Sequence, residues 1–362
     1  MKKLFLFFGI LQILRAQEGV DIKVQVNKSP QKFDTTCYKS FSDKLILGFT
    51  ESYKSYGITA HSKRKNPYSY NPDINYIAES KVNYGALISY DKLSIEFAFS
   101  SSISMNDSTK GKSTIKSLAF SFGGNKFLIE PSYYKFKGFY DQNTGNYDSA
   151  AYKKTGIYFK NPSLQAVQYK LKFLYFFNYK RYANRASSSY SYRQLKTKGS
   201  WVFAAQGFYN DVSTDSSLWP TKVALAYDTL RNLNHFKIYG GGVWFGYGFN
   251  WVFGKRKNLF LSVIAVGLLN FQEQEYNLKD SSFIIKEQKF SISPDIRISG
   301  GYNAKRFFFI VSAISDYNAM LVRRTQLQTV VIPVSAYLGY RFNMKMPKLY
   351  KKFTETKLYN WL

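Results

Sequence analysis

Eight ionisable residues set into otherwise aromatic segments are the first candidates for chemistry: Lys81, Lys170, Lys172, Arg297 and Arg341, with Glu79, Glu96 and Asp295. Each falls on the polar side of an alternating segment, so a sheet closed on itself would turn them toward its interior. Two outcomes follow. Cross-strand ion pairs would fill a narrow lumen with side chains, whereas an open lumen holding more bases than acids would attract small anions.

Enzyme chemistry has little to work with. Outer-membrane lipases, deacylases and proteases organise a Ser or Asp around His, and the chain has 2 His, His61 and His235. Ser62 follows His61, but adjacent residues of an extended chain point to opposite sides. A lipid-modifying enzyme therefore requires one of these histidines to lie within about 4 Å of a Ser or carboxylate in the folded chain. No catalytic residue is assigned. No His, Cys, Asp or Glu cluster has metal-ligand spacing, and no cofactor motif occurs. Gly240-Gly241-Gly242, Gly246 and Gly248 lack the Lys-Ser/Thr of a phosphate loop. On a lumen face, glycine instead lets a sheet curve tightly.

The elements that carry these residues alternate with period two, the signature of strands. From Val167 to Tyr179, Val167, Tyr169, Leu171, Phe173, Tyr175, Phe177 and Tyr179 share one face against Gln168, Lys170, Lys172 and Asn178. The segment Tyr239 to Phe253 likewise sets aromatics against glycines. These segments are longer than the strands of soluble sandwiches and suit a bilayer. The fold class is all-β, a transmembrane antiparallel up-and-down barrel of about twelve strands. They are expected at 43–59, 74–90, 92–104, 113–123, 126–140, 163–180, 198–211, 236–253, 258–274, 283–302, 305–321 and 328–344. Residues 181–197 form a long connection where a short periplasmic turn is due, which leaves ten or fourteen strands as alternatives. Phe173, Tyr247 and Val334 should face lipid, and Gln168→Arg should be tolerated far better than Arg at those three positions.

Lys2 and Lys3 precede an apolar run that is too short to span a bilayer, and Ala16-Gln17 offers a cleavage site, so residues 1–16 read as an export signal. Residues 17–42 form a periplasmic segment, 43–344 the barrel and 345–362 a basic periplasmic tail. The single Cys, Cys37, excludes a disulfide framework. The net charge of +28 calls for acidic partners: outer-membrane lipid and lipopolysaccharide, or small anions. Export argues against nucleic acid. In the last strand, Tyr337, Gly339, Phe342 and Met344 have the spacing that barrel-assembly machinery reads.

Several stretches resemble a family of Bacteroidota-type outer-membrane proteins known as domain of unknown function 4421. They are Lys135-Phe136-Lys137-Gly138-Phe139-Tyr140, Phe177-Asn178-Tyr179-Lys180-Arg181-Tyr182 with the following Arg193-Gln194-Leu195-Lys196, Asp215-Ser216-Ser217-Leu218, and Gly300-Gly301-Tyr302-Asn303-Ala304-Lys305-Arg306-Phe307-Phe308. The resemblance covers residues 43 to 344. It implies an outer-membrane barrel and brings no activity. The function read at this stage is an envelope structural component or a narrow basic pore, with a lipid-modifying barrel enzyme as the alternative.

Overall fold

The long period-two segments hydrogen-bond into one closed antiparallel sheet. The computed structural model describes residues 33–62, 70–79, 82–100, 108–279, 284–322, 325–356 and 359. In chain order the elements are β1 (Tyr38–Ser40), β2 (Lys44–Ser62), β3 (Ile74–Glu79), β4 (Asn83–Tyr90), β5 (Leu93–Ser100), β6 (Thr114–Phe122) and β7 (Phe127–Asp141). Two short helices, α1 (Thr144–Tyr147) and α2 (Ser149–Thr155), precede β8 (Phe159–Phe176), α3 (Arg185–Ser188), β9 (Tyr192–Gln194) and β10 (Lys198–Ser213). A 3-10 helix (Ala224–Leu230) leads to β11 (Leu233–Phe253), β12 (Leu259–Leu278), β13 (Ile284–Asn303), β14 (Phe307–Val322), β15 (Thr325–Asn343) and α4 (Lys348–Thr354).

Pairing of β15 with β2 closes the ring. With β3 and β4 taken as one interrupted strand, the wall has the expected twelve strands. No described helix is long and apolar enough to cross a membrane; the crossing is made by strands. Their outward residues are apolar: Leu171 is 53% exposed, Trp201 63% and Phe290 73%, against 4% for the inward Lys170. Burying that belt in lipid removes the cost of leaving it in water. Tyr133, Tyr169, Tyr209 and Tyr239 are successive cross-strand partners on the outer face. Such an aromatic row belongs at a membrane boundary.

The expected strand 74–90 is split. Ile74, Tyr76 and Ala78 are buried in β3, whereas Asn83, Leu87 and Ser89 are buried in β4, so the inward parity slips by one across the break. β3 then pairs with β7 through Tyr76↔Asp141 and Ile77↔Tyr140, above the β5–β6 hairpin. The ring is therefore ten strands around at its outer end and twelve below, which reconciles two of the counts left open by the sequence. β7 accommodates the change with a bulge at Lys137/Phe139, where Gly138 has φ +82. A Cβ there would lie 2.2 Å from the Lys112 carbonyl oxygen.

The glycines of β11 match the tight-curvature reading. Cβ atoms at Gly240, Gly242 and Gly246 would each fall within 2.2 Å of β12 atoms, so the strands approach as closely as they do only with glycine there. Residues 181–197 correct the sequence expectation. Rather than a simple connection, they fold into the barrel mouth at the short-turn end, where β9 pairs with β1. The N-terminal residues from Phe33 onward thus share in a plug. Residues 1–16, Ala16, Gln17 and Lys81 lie outside the described residues, as does the side chain of Glu79.

Candidate functional site

Alternation in β8 turns Lys170 and Lys172 inward, and the same parity in β13 and β14 turns Asp295, Arg297 and Asp316 to meet them across the lumen. Lys172 Nζ lies 2.6 Å from Asp295 Oδ2 and 3.5 Å from Asp316 Oδ2, and Lys170 bonds Asp316. Arg297 bridges Glu130, 2.5 Å away, and Asp295, 3.3 Å away. The three cations face three carboxylates, so the cluster is balanced. Such a pair is costly to desolvate and costly to break, because removing one partner strands the other charge in a dry interior.

The remaining inward charges are also held. Glu96 accepts the Tyr337 hydroxyl at 3.1 Å. Arg341 is inward, but it does not serve as a free luminal base. Its guanidinium donates to the carbonyls of Tyr190 and Ala304 and to Asn303 Oδ1, and it stacks on Phe41 and Phe308. An excess of anion-attracting bases, expected from the sequence, is therefore not what the described lumen presents. Sequence reasoning missed Glu130 and Asp316, which balance the cluster. It also missed Arg185, fully buried in the plug and bonded to Ser189, Ser191 and the Lys92 and Gly123 carbonyls. Burial pushes the Arg185 guanidinium below its ordinary pKa. Nothing in the sequence set it apart from Arg181, Arg193 and Lys196 of the same Ser-rich connection.

Side chains fill both mouths. At the outer end, residues 214–232 fold inward, with Trp219 stacked on Tyr227 at 3.8 Å and both buried. Tyr76 donates to the Leu218 carbonyl and Tyr227 to those of Ala60 and Pro72, which ties this lid to β2 and β3. At the short-turn end, Tyr182, Tyr190 and α3 of the plug are buried. Between them lies a cavity of about 180 Å³, bounded by Glu96, Glu130, Arg297 and Asp316 and floored by Ser188 and Tyr190.

Both histidines meet the distance set for an enzyme. His61 Nδ1 is 2.9 Å from Asp73 Oδ2, and His235 Nε2 is 3.1 Å from Asp211 Oδ1, while the other oxygen of Asp211, Oδ2, accepts the Tyr209 hydroxyl at 3.0 Å. Ser62 instead donates to the Ala226 carbonyl. Among the described residues, no group of three or more His, Cys, Asp or Glu is placed to hold a metal. In β15, Tyr337 is buried, Gly339 leaves room for the Phe308 ring, and Phe342 is outward and 44% exposed. Met344 lies just beyond the strand, which ends at Asn343.

A family model described as a domain of unknown function (DUF4421) matches residues 32–342. The chain belongs to that family. Among curated proteins none matches it. Among solved structures, the DUF4421 chain is similar to the outer membrane protease OmpT from Escherichia coli, with 8% identity over 84% of this chain and 98% of that one and a TM-score of 0.39. It is also similar to the Pseudomonas putida toluene transporter TodX, with 8% identity, 83% and 90% coverage and a TM-score of 0.27. Neisserial surface protein A gives 8% identity, 80% and 96% coverage and a TM-score of 0.24. The stretches that carry the family resemblance lie where the mouths are built: Asn178 bonds Gly199, Asn303 bonds Tyr192, and Leu218 is buried within the lid.

Proposed function

We propose that this DUF4421 protein is a non-enzymatic, plugged outer-membrane barrel that serves the envelope structurally and does not conduct anions at rest. The supporting observation is the balanced Lys170–Lys172–Arg297 and Asp295–Asp316–Glu130 cluster between two filled mouths. Purified protein in planar bilayers should be silent. Deleting the lid residues 216–230 should leave conductance absent or small, because the periplasmic plug remains. A steady anion-selective current from the intact chain would overturn the proposal.

The same proposal includes export by residues 1–16 with cleavage at Ala16-Gln17, a Bacteroidota-type source, contact with lipopolysaccharide and insertion by barrel-assembly machinery through Tyr337, Gly339, Phe342 and Met344. Recovery of uncleaved chain in the cytosol would refute the export step.

The Asp211–His235 pair favours a second reading, a lipid-modifying enzyme acting at the outer rim. Incubation with labelled lipopolysaccharide tests it. Product formation that disappears in His235→Ala would establish the enzyme and displace the structural reading.

A further inference from the structure

The net charge of +28 finds no outlet in the balanced lumen, and the connections show where it goes. Short turns of outer-membrane barrels face the periplasm. Here that end comprises residues 91–92, 123–126, 177–197, 254–258 and 304–306, together with the tail. Asp91 is the one acid among those five connections, and it accepts the hydroxyls of Tyr350 and Tyr359. By contrast, residues 177–197 carry Lys180, Arg181, Arg193 and Lys196 in addition to the buried Arg185, and no acid of their own; Arg181 lies 3.7 Å from Asp34. The β11–β12 turn presents Lys255, Arg256 and Lys257 in succession, all exposed, and the β13–β14 turn presents Lys305 and Arg306. The tail adds Lys348, Lys351 and Lys352 on α4. Lys-rich residues of the outer end are instead interspersed with acids, as in the ladder of Asp211, Lys237, Glu275 and Lys286.

The placement of the rim bases identifies what they meet. Lys255, Arg256 and Lys257 lie between the outward Phe253, 47% exposed, and Leu259, 50% exposed. Lys305 and Arg306 lie between the outward Tyr302 and Phe307. At these two neighbouring turns bases are thus interleaved with lipid-facing side chains, at the end of the apolar belt where phosphate groups would sit. A soluble polyanion would instead need its contacts on the flat face of the plug. Among the described residues, none of these five turn bases has a carboxylate partner.

We infer that the periplasmic rim is a binding surface for the headgroups of anionic phospholipids in the inner-facing leaflet. Juxtamembrane bases gain up to about 1 kcal/mol each at an anionic surface, a factor of about five in local lipid occupancy. Trp201 and Trp251 are outward reporters close to Lys198 and Lys255.

The test reconstitutes the mature chain in phosphatidylcholine nanodiscs containing equal mole fractions of either brominated phosphatidylglycerol or brominated phosphatidylcholine, and reads tryptophan quenching. The anionic lipid should quench several-fold more effectively. The difference should vanish at about 1 M salt, where the screening length is about 3 Å. Combined Lys255→Gln, Arg256→Gln, Lys305→Gln and Arg306→Gln should bring the two lipids to within about twofold of each other. Lys351→Gln with Lys352→Gln, on the separate α4, should reduce the preference partially and serves if the turn variant does not fold. Equal quenching by both lipids, or a preference that survives these changes, would overturn the inference. So would binding of soluble polyglutamate that is lost on the same substitutions without a lipid preference, since the surface would then serve a periplasmic polyanion. None of these bases bounds the luminal cavity, so the outcome is independent of conductance.

Discussion

Asp295 holds two cations at once, and Asp295→Asn is the sharpest test of the luminal cluster. The carboxylate is 3% exposed, 2.6 Å from Lys172 and 3.3 Å from Arg297. Neutralising it leaves Lys170, Lys172 and Arg297 facing only Asp316 and Glu130, an uncompensated positive charge in a buried site. Breaking a buried pair in this way costs about 3–5 kcal/mol. The lower end is expected, because Asp316 still lies 3.5 Å from Lys172 and Glu130 still holds Arg297. The double variant Asp295→Asn/Lys172→Met removes the stranded charge with its partner, and should recover about half of the loss or more. Urea unfolding of the barrel in lipid vesicles, followed by tryptophan fluorescence, measures both. A single-variant cost below about 1 kcal/mol, or a double variant no more stable than the single, would refute the claim that this cluster acts as a balanced unit.

Arg at Phe173, Tyr247 or Val334 should cost about 2–4 kcal/mol in the same vesicle assay, since all three face lipid. Gln168→Arg should also be costly, against the sequence expectation, because Gln168 is 1% exposed in the lumen one inward position from Lys170. Gly246→Ala should destabilise by about 1–3 kcal/mol, because its Cβ would lie 2.2 Å from the Ala265 carbonyl oxygen. Gly57→Ala, with nothing within 4 Å, should be nearly neutral by equilibrium unfolding. In the N-terminal turn, hydrogen bonds from Thr36 and Cys37 hold the Asp34 carboxyl down at about 2, below its ordinary 3.8. A depressed folded value stabilises the turn fully above that ordinary range and is lost as pH falls toward about 2. Amide exchange at Thr36 should therefore stay slow at pH 4.

The wall was legible because lipid on one side and a packed lumen on the other impose period two along each strand. Lys170 and Lys172 could be turned inward from β8 alone. Their partner Asp316 could not be assigned, since it is 146 residues away and is brought opposite by closure of the ring, which no local pattern records. The β3–β4 break left no trace in the alternation: even positions stay apolar from Ile74, Tyr76 and Ala78 through Tyr84, Ala86, Ile88 and Tyr90, while burial passes from even to odd residues because β3 packs its apolar side inward and β4 turns its own outward. The plug was no more legible. Arg185 is held by the Lys92 and Gly123 carbonyls of two separate turns, Tyr182 packs on Phe176, and Tyr190 packs on Phe308 and Tyr337, partners that only the closed ring brings together.

The arrangement of Arg341 bears on how the barrel is put together. This residue of the final strand grips the carbonyl of Tyr190 in the plug, while the same strand zips onto β2 to seal the wall. The plug meanwhile needs residues 38–40, the earliest described strand, paired with 192–194 near the midpoint of the chain. First, middle and last portions of the polypeptide thus converge on one floor. A chain whose terminal strand has not yet arrived lacks both its lateral seam and the clamp on its stopper, so sealing against the membrane and sealing across it become a single event.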